Sequence, residues 1–352
     1  MLKKLDQQPL WVYKRSLELY MTRNLTWPKD IIAAFTGIGN LVCSALGGEM
    51  IFGLPSSHFD WALLWEPRNA AVRRENQDSE QFPSWSWCGW RNEIMEYKTS
   101  TLAGCEDNLH DWLMNHTWIT WYIRDGSGNL RLVWNRNSFK PASSTTESRW
   151  RGYKYPKNAS PSTHDKYGRF IEPSERSYRN NDINFKLILD ECPYGVNITE
   201  HSEEELIAST EKDMPFLQFF TWRAFFRIRE DRRPPRSTFG RNFIRYSVLD
   251  SKDDWCGTIV LDKFWARERK LEEPVEFIAL SDAKHFSEVE YDDWANYIPV
   301  DQEESTWDLY YALLIEKKAG ISYRVGLGKI FQEAFHNSCK PSGKEWKEFI
   351  LG

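Results

Sequence analysis

The sequence predicts an α+β protein in which a helical N-terminal part packs on a mainly antiparallel, β-rich, sandwich-like C-terminal part. Three observations predict it. Apolar residues recur at helical spacing before residue 65, and with a period of two beyond residue 118. Between these halves lies Phe82-Pro83-Ser84-Trp85-Ser86-Trp87-Cys88-Gly89-Trp90, with three tryptophans in six residues. Strands joined by short turns after a helical start read as segregated α and β layers. The chain divides into 1–134 (helical region, Trp-rich strand and hairpin), 135–182 (basic linker) and 183–352 (β-rich region). The last is expected to share one core with 83–134.

In chain order, residues 9–22 read as a helix with Leu10, Tyr13, Leu17, Tyr20 and Met21 on one side. Residues 23–30 break it, and Pro28 suits the first turn of the next helix, where a missing N–H costs nothing. Ile31, Phe35, Ile38, Val42 and Ala45 then form an apolar stripe, widened by Ile32, Ala34, Leu41 and Leu46. Gly47-Gly48 stops this helix. Phe59–Trp65 reads as a short buried helix, and residues 66–81 as a polar loop. The stretch 83–90 reads as a strand: Trp85 and Trp87 share one face, while Ser84, Ser86 and Cys88 share the other. Pro83 takes the first position, and Gly89 supplies a bulge that re-aims Trp90.

Trp118–Arg124 and Leu130–Trp134 flank Asp125-Gly126-Ser127-Gly128-Asn129, a hairpin pattern. Residues 135–182 carry ten Lys/Arg against five Asp/Glu with no apolar period, the composition of a disordered loop. Phe185–Leu189 reads as a strand, and Ser202 as the cap of a short helix opening on Glu203-Glu204-Glu205. From Phe220 to Arg229 the residues alternate, with one buried and one partly basic face. Further strands are expected at 244–248, 257–262 and 275–280. A hairpin follows at 309–325, then a helical Ile330–Phe335 and a terminal Trp346–Leu351.

The 352 residues carry a net charge of −5 and a pI near 5.9, which speaks against electrostatic binding to nucleic acid or an anionic membrane. No window approaches about 18 uninterrupted apolar residues, so no transmembrane helix is expected. The N-terminus has lysines but no apolar core segment, so no secretory signal is expected. The six cysteines (43, 88, 105, 192, 256, 339) are scattered and match neither a disulfide framework nor a zinc site; reduced thiols in a cytoplasmic protein are expected. The 18 Trp, 15 Tyr and 20 Phe read as core filling, with an exposed stacking platform as the alternative.

Several local patterns invite chemistry. Gly326-Leu327-Gly328-Lys329 lacks the third glycine of a dinucleotide fingerprint and the ending of a P-loop, and reads as a glycine-kinked strand end. Ser56, Ser57, His58 and Asp60 are neighbours in sequence, whereas a catalytic triad needs positions that converge in space. His110 and His116 lie six apart, unlike the i, i+4 pair of a helical zinc site. Asp253-Asp254 and Asp292-Asp293 read as turns. Cys88, between tryptophans, is expected to be buried and inert. No catalytic, cofactor-binding or metal residue is therefore nominated, and no cofactor is expected.

Three blocks carry a resemblance: Tyr20 to Gly37; Phe52-Gly53-Leu54-Pro55 with Phe59–Trp65; and Pro83–Trp90. In order and spacing they resemble the region following the HET domain in fungal heterokaryon-incompatibility proteins. Cys256–Asp262, Glu276–Ser281, Leu313–Glu316 and Tyr323–Gly328 look like the C-terminal half of the same family. In that family a TIR-like HET domain, associated with triggering cell death on non-self recognition, precedes these blocks, whereas here about 20 residues do. The resemblance implies a non-enzymatic companion region, acting as a regulatory or protein-interaction module whose partner is a HET-type effector. The alternatives are a carbohydrate-like ligand-binding β-sandwich using exposed tryptophans (Trp85, Trp87, Trp222, Trp265) and, third, a hydrolase.

Overall fold

The computed structural model describes residues 8–23, 30–68, 71–74, 82–91, 94–98, 102, 105, 106, 109, 112, 113, 116–124, 130–134, 215–230, 243–269, 273–284 and 309–352. The expected linker 135–182, the strand at 185–189, the helix after Ser202, and the pair Asp292-Asp293 lie outside these residues.

Helix α1 (Pro9–Met21) opens on a proline in its first turn and buries Leu10, Tyr13, Leu17 and Tyr20, the expected side. Helix α2 (Ile31–Leu46) buries Ile31, Phe35, Gly39, Val42, Cys43 and Leu46 and ends at Gly47, whose φ of 84° suits glycine. Its stripe is narrower than expected, because Ala34 and Leu41 face solvent. The two-residue strands β1 (Met50–Ile51) and β2 (Leu54–Pro55) then pair. A single 3₁₀ turn (Ser56–His58) leads into α3 (Phe59–Ala62), and residues 56–65 are all buried. Here the expected short helix is present but ends three residues early.

The region expected to be a polar loop contains β3 (Glu66–Pro67) and β4 (Val72–Arg73). These pair with β6 (Met95–Glu96) and β5 (Trp90–Arg91) respectively. Pairings of two residues are too short to leave a period in sequence. The tryptophan stretch differs more. It is not a strand over 83–90 but a turn followed by a 3₁₀ helix at Trp87–Gly89, with the Ser86 hydroxyl accepting from the Cys88 backbone N–H. Such short-range serine bonds compete with a strand ladder. The two tryptophans consequently enter different clusters: Trp85 meets Phe52 and Phe59, whereas Trp87 meets Tyr20 and Phe35. Ser84 and Ser86 are as buried as the tryptophans, so no solvent face exists here. Gly53 lets this happen: at φ 81°, a Cβ there would lie 2.3 Å from the Trp87 ring.

The hairpin is β7 (Tyr122–Arg124) and β8 (Leu130–Leu132). The fifteen-residue β9 (Phe216–Glu230) follows, then β10 (Phe243–Leu249), β11 (Trp255–Asp262), helix α4 (Lys263–Arg267), and β12 (Val275–Ala283). The chain closes with β13 (Leu309–Lys318), β14 (Ile321–Phe331), helix α5 (Gln332–His336) and β15 (Glu345–Leu351). The molecule is α+β, as predicted. The sandwich detail does not follow from the pairings, which join β7 to β15 into one nine-stranded sheet. Six strands form a ring of antiparallel pairs, β9–β10–β11–β14–β13–β12 and back to β9. Closing a sheet on itself removes two free edges.

One continuous core unites helices and sheet, including Tyr13, Phe35, Trp61, Trp85, Phe219, Phe277 and Tyr311. β9 is buried on both faces for most of its length. On its basic side Arg223 pairs with Glu276 and Glu345, and Arg227 with Asp253. Trp85→Ala should cost about 3–5 kcal/mol, as large-to-small core changes do. Trp85 Nε1 has no acceptor in its buried site, so Trp85→Phe should cost clearly less. Urea unfolding of both variants measures the difference.

Candidate functional site

A cavity lies between the N-terminal segment and the sheet. Trp65, Glu66, Pro67, Ala71, Trp90 and Lys98 form one wall, and Val260, Asp262 and Arg324–Leu327 the other. Its volume is about 40 Å³. The sequence reading did not single out any of these side chains as functional.

Arg324 occupies the cavity floor. Its backbone belongs to β14, where a register shift opposite Leu314 and Ile315 leaves Val325 as the extra residue. The guanidinium carbon lies over the Trp65 ring, 3.7 Å from its centroid, and the group donates to the carbonyls of Leu63 (2.6 Å) and Trp65. It is only 3% exposed, and burial pushes its pKa down to about 9, with Glu66 opposing that shift through space. The charge therefore persists at neutral pH. Glu66 itself lies 3.8 Å from the Lys98 ammonium, and Asp262 Oδ1 accepts from the Trp265 backbone N–H at 3.1 Å.

Below the cavity, Ser84 joins the two halves. Its backbone N–H and hydroxyl both donate to the Gly352 carbonyl, while its oxygen accepts from the Arg324 backbone N–H at 2.8 Å. Trp90 Nε1 donates to the Ser84 carbonyl at 2.9 Å, and Trp65 Nε1 to the Trp85 carbonyl at 3.0 Å. The Trp-rich stretch is thus held by serine and indole hydrogen bonds as well as by packing.

The residues weighed in the sequence are placed as follows. Gly326-Leu327-Gly328-Lys329 lies within β14, not at a strand end. A Cβ at Gly328 would lie 2.8 Å from the Thr258 carbonyl, so the glycine permits close approach of β11. Ser57 Oγ and His58 Nδ1 are 2.9 Å apart, both buried, while Asp60 accepts from Trp121 Nε1. His110 lies outside the described residues. His116 meets Asp282 (Nδ1 to Oδ2, 2.9 Å), and Asp282 also accepts from Gln332 and, through its carbonyl, from Trp112. This buried cluster ties Trp112 and His116 to β12, and periodicity gave no hint of it. Asp253 sits in the turn after β10, where Asp250 Oδ1 accepts from the N–H groups of Lys252 and Asp254. Among the described residues, no three His, Cys, Asp or Glu groups converge as metal ligands.

Of the tryptophans proposed as a platform, Trp85, Trp87 and Trp222 are buried. Trp265 is half-buried, with Nε1 donating to Glu316. They do not line an open groove. The described thiols are free, and all but half-buried Cys339 are buried. Burial pushes Cys43 and Cys88 up to about 12 and raises Cys105, Cys256 and Cys339 as well.

Two outcomes are expected. At pH 8 a disulfide thiol reagent should leave Cys88 unmodified in the native protein and label it fully after denaturation, as read by peptide mass spectrometry. Arg324→Lys should lower stability by about 3 kcal/mol, because a point ammonium cannot fork between two carbonyls while stacking on an indole. Chemical denaturation checks this, and a loss below measurement error would show that the guanidinium geometry is unimportant. In comparisons with known proteins, no family model, no curated protein and no solved structure matches this chain.

Proposed function

We propose that the chain is a non-enzymatic, cytoplasmic protein-interaction module of the kind that follows the HET domain in fungal heterokaryon-incompatibility proteins, with a HET-type effector as partner. The observation that carries this reading is where the resembling blocks meet. Phe59–Trp65, Pro83–Trp90 and Tyr323–Gly328 interlock around Arg324 and Ser84, so the segments that resemble the family are the ones that build the joint between helices and sheet. Free, buried thiols suit a reducing compartment. No helix among the described residues is long and apolar enough to cross a membrane.

The face offered to the partner is the outer side of α2. This helix runs sixteen residues without a charged side chain, and Ala33, Ala34, Gly37 and Leu41 on it are exposed. Leu41 is 46% exposed, and a Cβ added at Gly37 meets nothing within 4 Å. An uncharged face with small residues admits a second helix at close range.

The test is direct binding of a purified fungal HET domain to this chain by biolayer interferometry. Saturable binding is expected, and Leu41→Glu on α2 should weaken it at least about tenfold by placing an unpaired charge in the contact. Absence of binding at about 100 µM HET domain, which bounds any complex to less than about 5.5 kcal/mol of binding free energy, overturns the reading.

A further inference from the structure

We infer that Lys347 is an acylation site whose amine takes an acyl group from an acyl phosphate. Lys347 lies on β15, is exposed, and stands opposite Thr221 of β9. In the same pairing Arg223 stands opposite Glu345, so Lys347 and Arg223 are diagonal neighbours on one face, within reach for long side chains. Lys317 of β13 comes to that face as well. Its Nζ lies 5.2 Å from the ring centroid of Phe349, two residues beyond Lys347 on the same side of the strand. The carboxylates at hand are already engaged. Glu276 Oε1 takes Lys317 at 2.9 Å and Arg223 at 3.2 Å, while Glu345 takes Arg223 through one oxygen and the Ser342 hydroxyl through the other. Glu348 alternates to the opposite face, where it accepts from Gln218. Three cations thus share two carboxylates, and Lys347 is the one without an ion pair among the described residues.

A crowded ammonium gives up its proton more readily. Partial burial lowers the Lys347 pKa, and the charges of Arg223 and Lys317 lower it further, against Glu276 and Glu345. The free amine is the nucleophile. The ammonium first loses a proton to water, and the nitrogen lone pair attacks the acyl carbon. The C–N bond forms, the C–O bond to the phosphate oxygen breaks, and phosphate leaves with the electron pair. The nitrogen then sheds a second proton to water. The product amide is neutral, so two cations remain for two carboxylates and the like-charge repulsion beside the β15–β9 pairing is relieved. An anionic donor also suits a face with one positive charge in excess.

The full chain is treated with limiting acetyl phosphate near neutral pH, and peptide mass spectrometry gives the acetylation rate of each lysine. Lys318 and Lys340, both exposed, are the internal references. Lys347 should react at least about threefold faster than either, and its lead should shrink above about pH 10, where ordinary lysines also lose their protons. Two variants separate charge from accessibility. Lys317→Met removes a neighbouring cation and should slow Lys347 toward the references. Glu345→Gln removes a neighbouring anion and should speed it, whereas fraying of β15 would speed both variants. A Lys347 rate at or below the references, or variants that fail to move it in opposite directions, overturns the proposal.

Discussion

The buried guanidinium of Arg324 is the constraint on which the two halves of this protein depend. Removing a charge from water is costly unless its donors are met. Here they are met by carbonyls of the α3 segment, Leu63 and Trp65, and by the Trp65 ring. Because Arg324 belongs to β14, that requirement fixes the helical segment against the sheet at one register. Ser84 reinforces the same joint by joining Gly352 to the Arg324 backbone. The hydrophobic core supplies bulk stabilisation, but it is non-directional; these polar contacts specify which wall faces which.

Aromatic residues fill the space that this joint encloses. Tyr13, Phe35, Trp61, Trp87 and Tyr97 meet edge-on, tilted or stacked, with Trp61 and Tyr97 parallel at 4.1 Å. Their polar atoms are largely matched. Tyr13 and Trp87 both donate to the Gly53 carbonyl, and Tyr97 donates to that of Ala62. A glycine at position 53 is the backbone counterpart of so many rings, since any side chain there would occupy the place of the Trp87 indole. Asp282 plays an equivalent part elsewhere in the core, holding Trp112 and His116 to β12.

The same joint connects architecture to function. The cavity lies where two walls of different origin meet around a cation, and the outer side of α2 stays exposed because only one side of that helix is needed by the core. Neither feature depends on reactive side chains. Among the described residues the thiols other than half-buried Cys339 are buried, and the Ser57–His58 contact lies within the core, where it pairs two buried polar groups.

The sequence by itself determined what local periodicity controls. α1 and α2, the hairpin at 122–132, and β9 to β14 were legible because period 3.6 and period 2 are written in consecutive residues. The burial of Cys88 was legible from its apolar neighbours. The tertiary structure alone decided the rest. It turned Pro83–Trp90 into a turn and a 3₁₀ helix, since Ser84 and Ser86 bond to groups that only folding brings near. It closed six strands into a ring, because pairing partners such as β9 and β12 are set by long-range contacts. It also placed Arg324, outwardly one more charged residue on an alternating strand, at the floor of a cavity facing Glu66 and Lys98. Those residues lie more than 200 positions away in sequence, and no local pattern encodes a contact whose partners meet only when the chain closes.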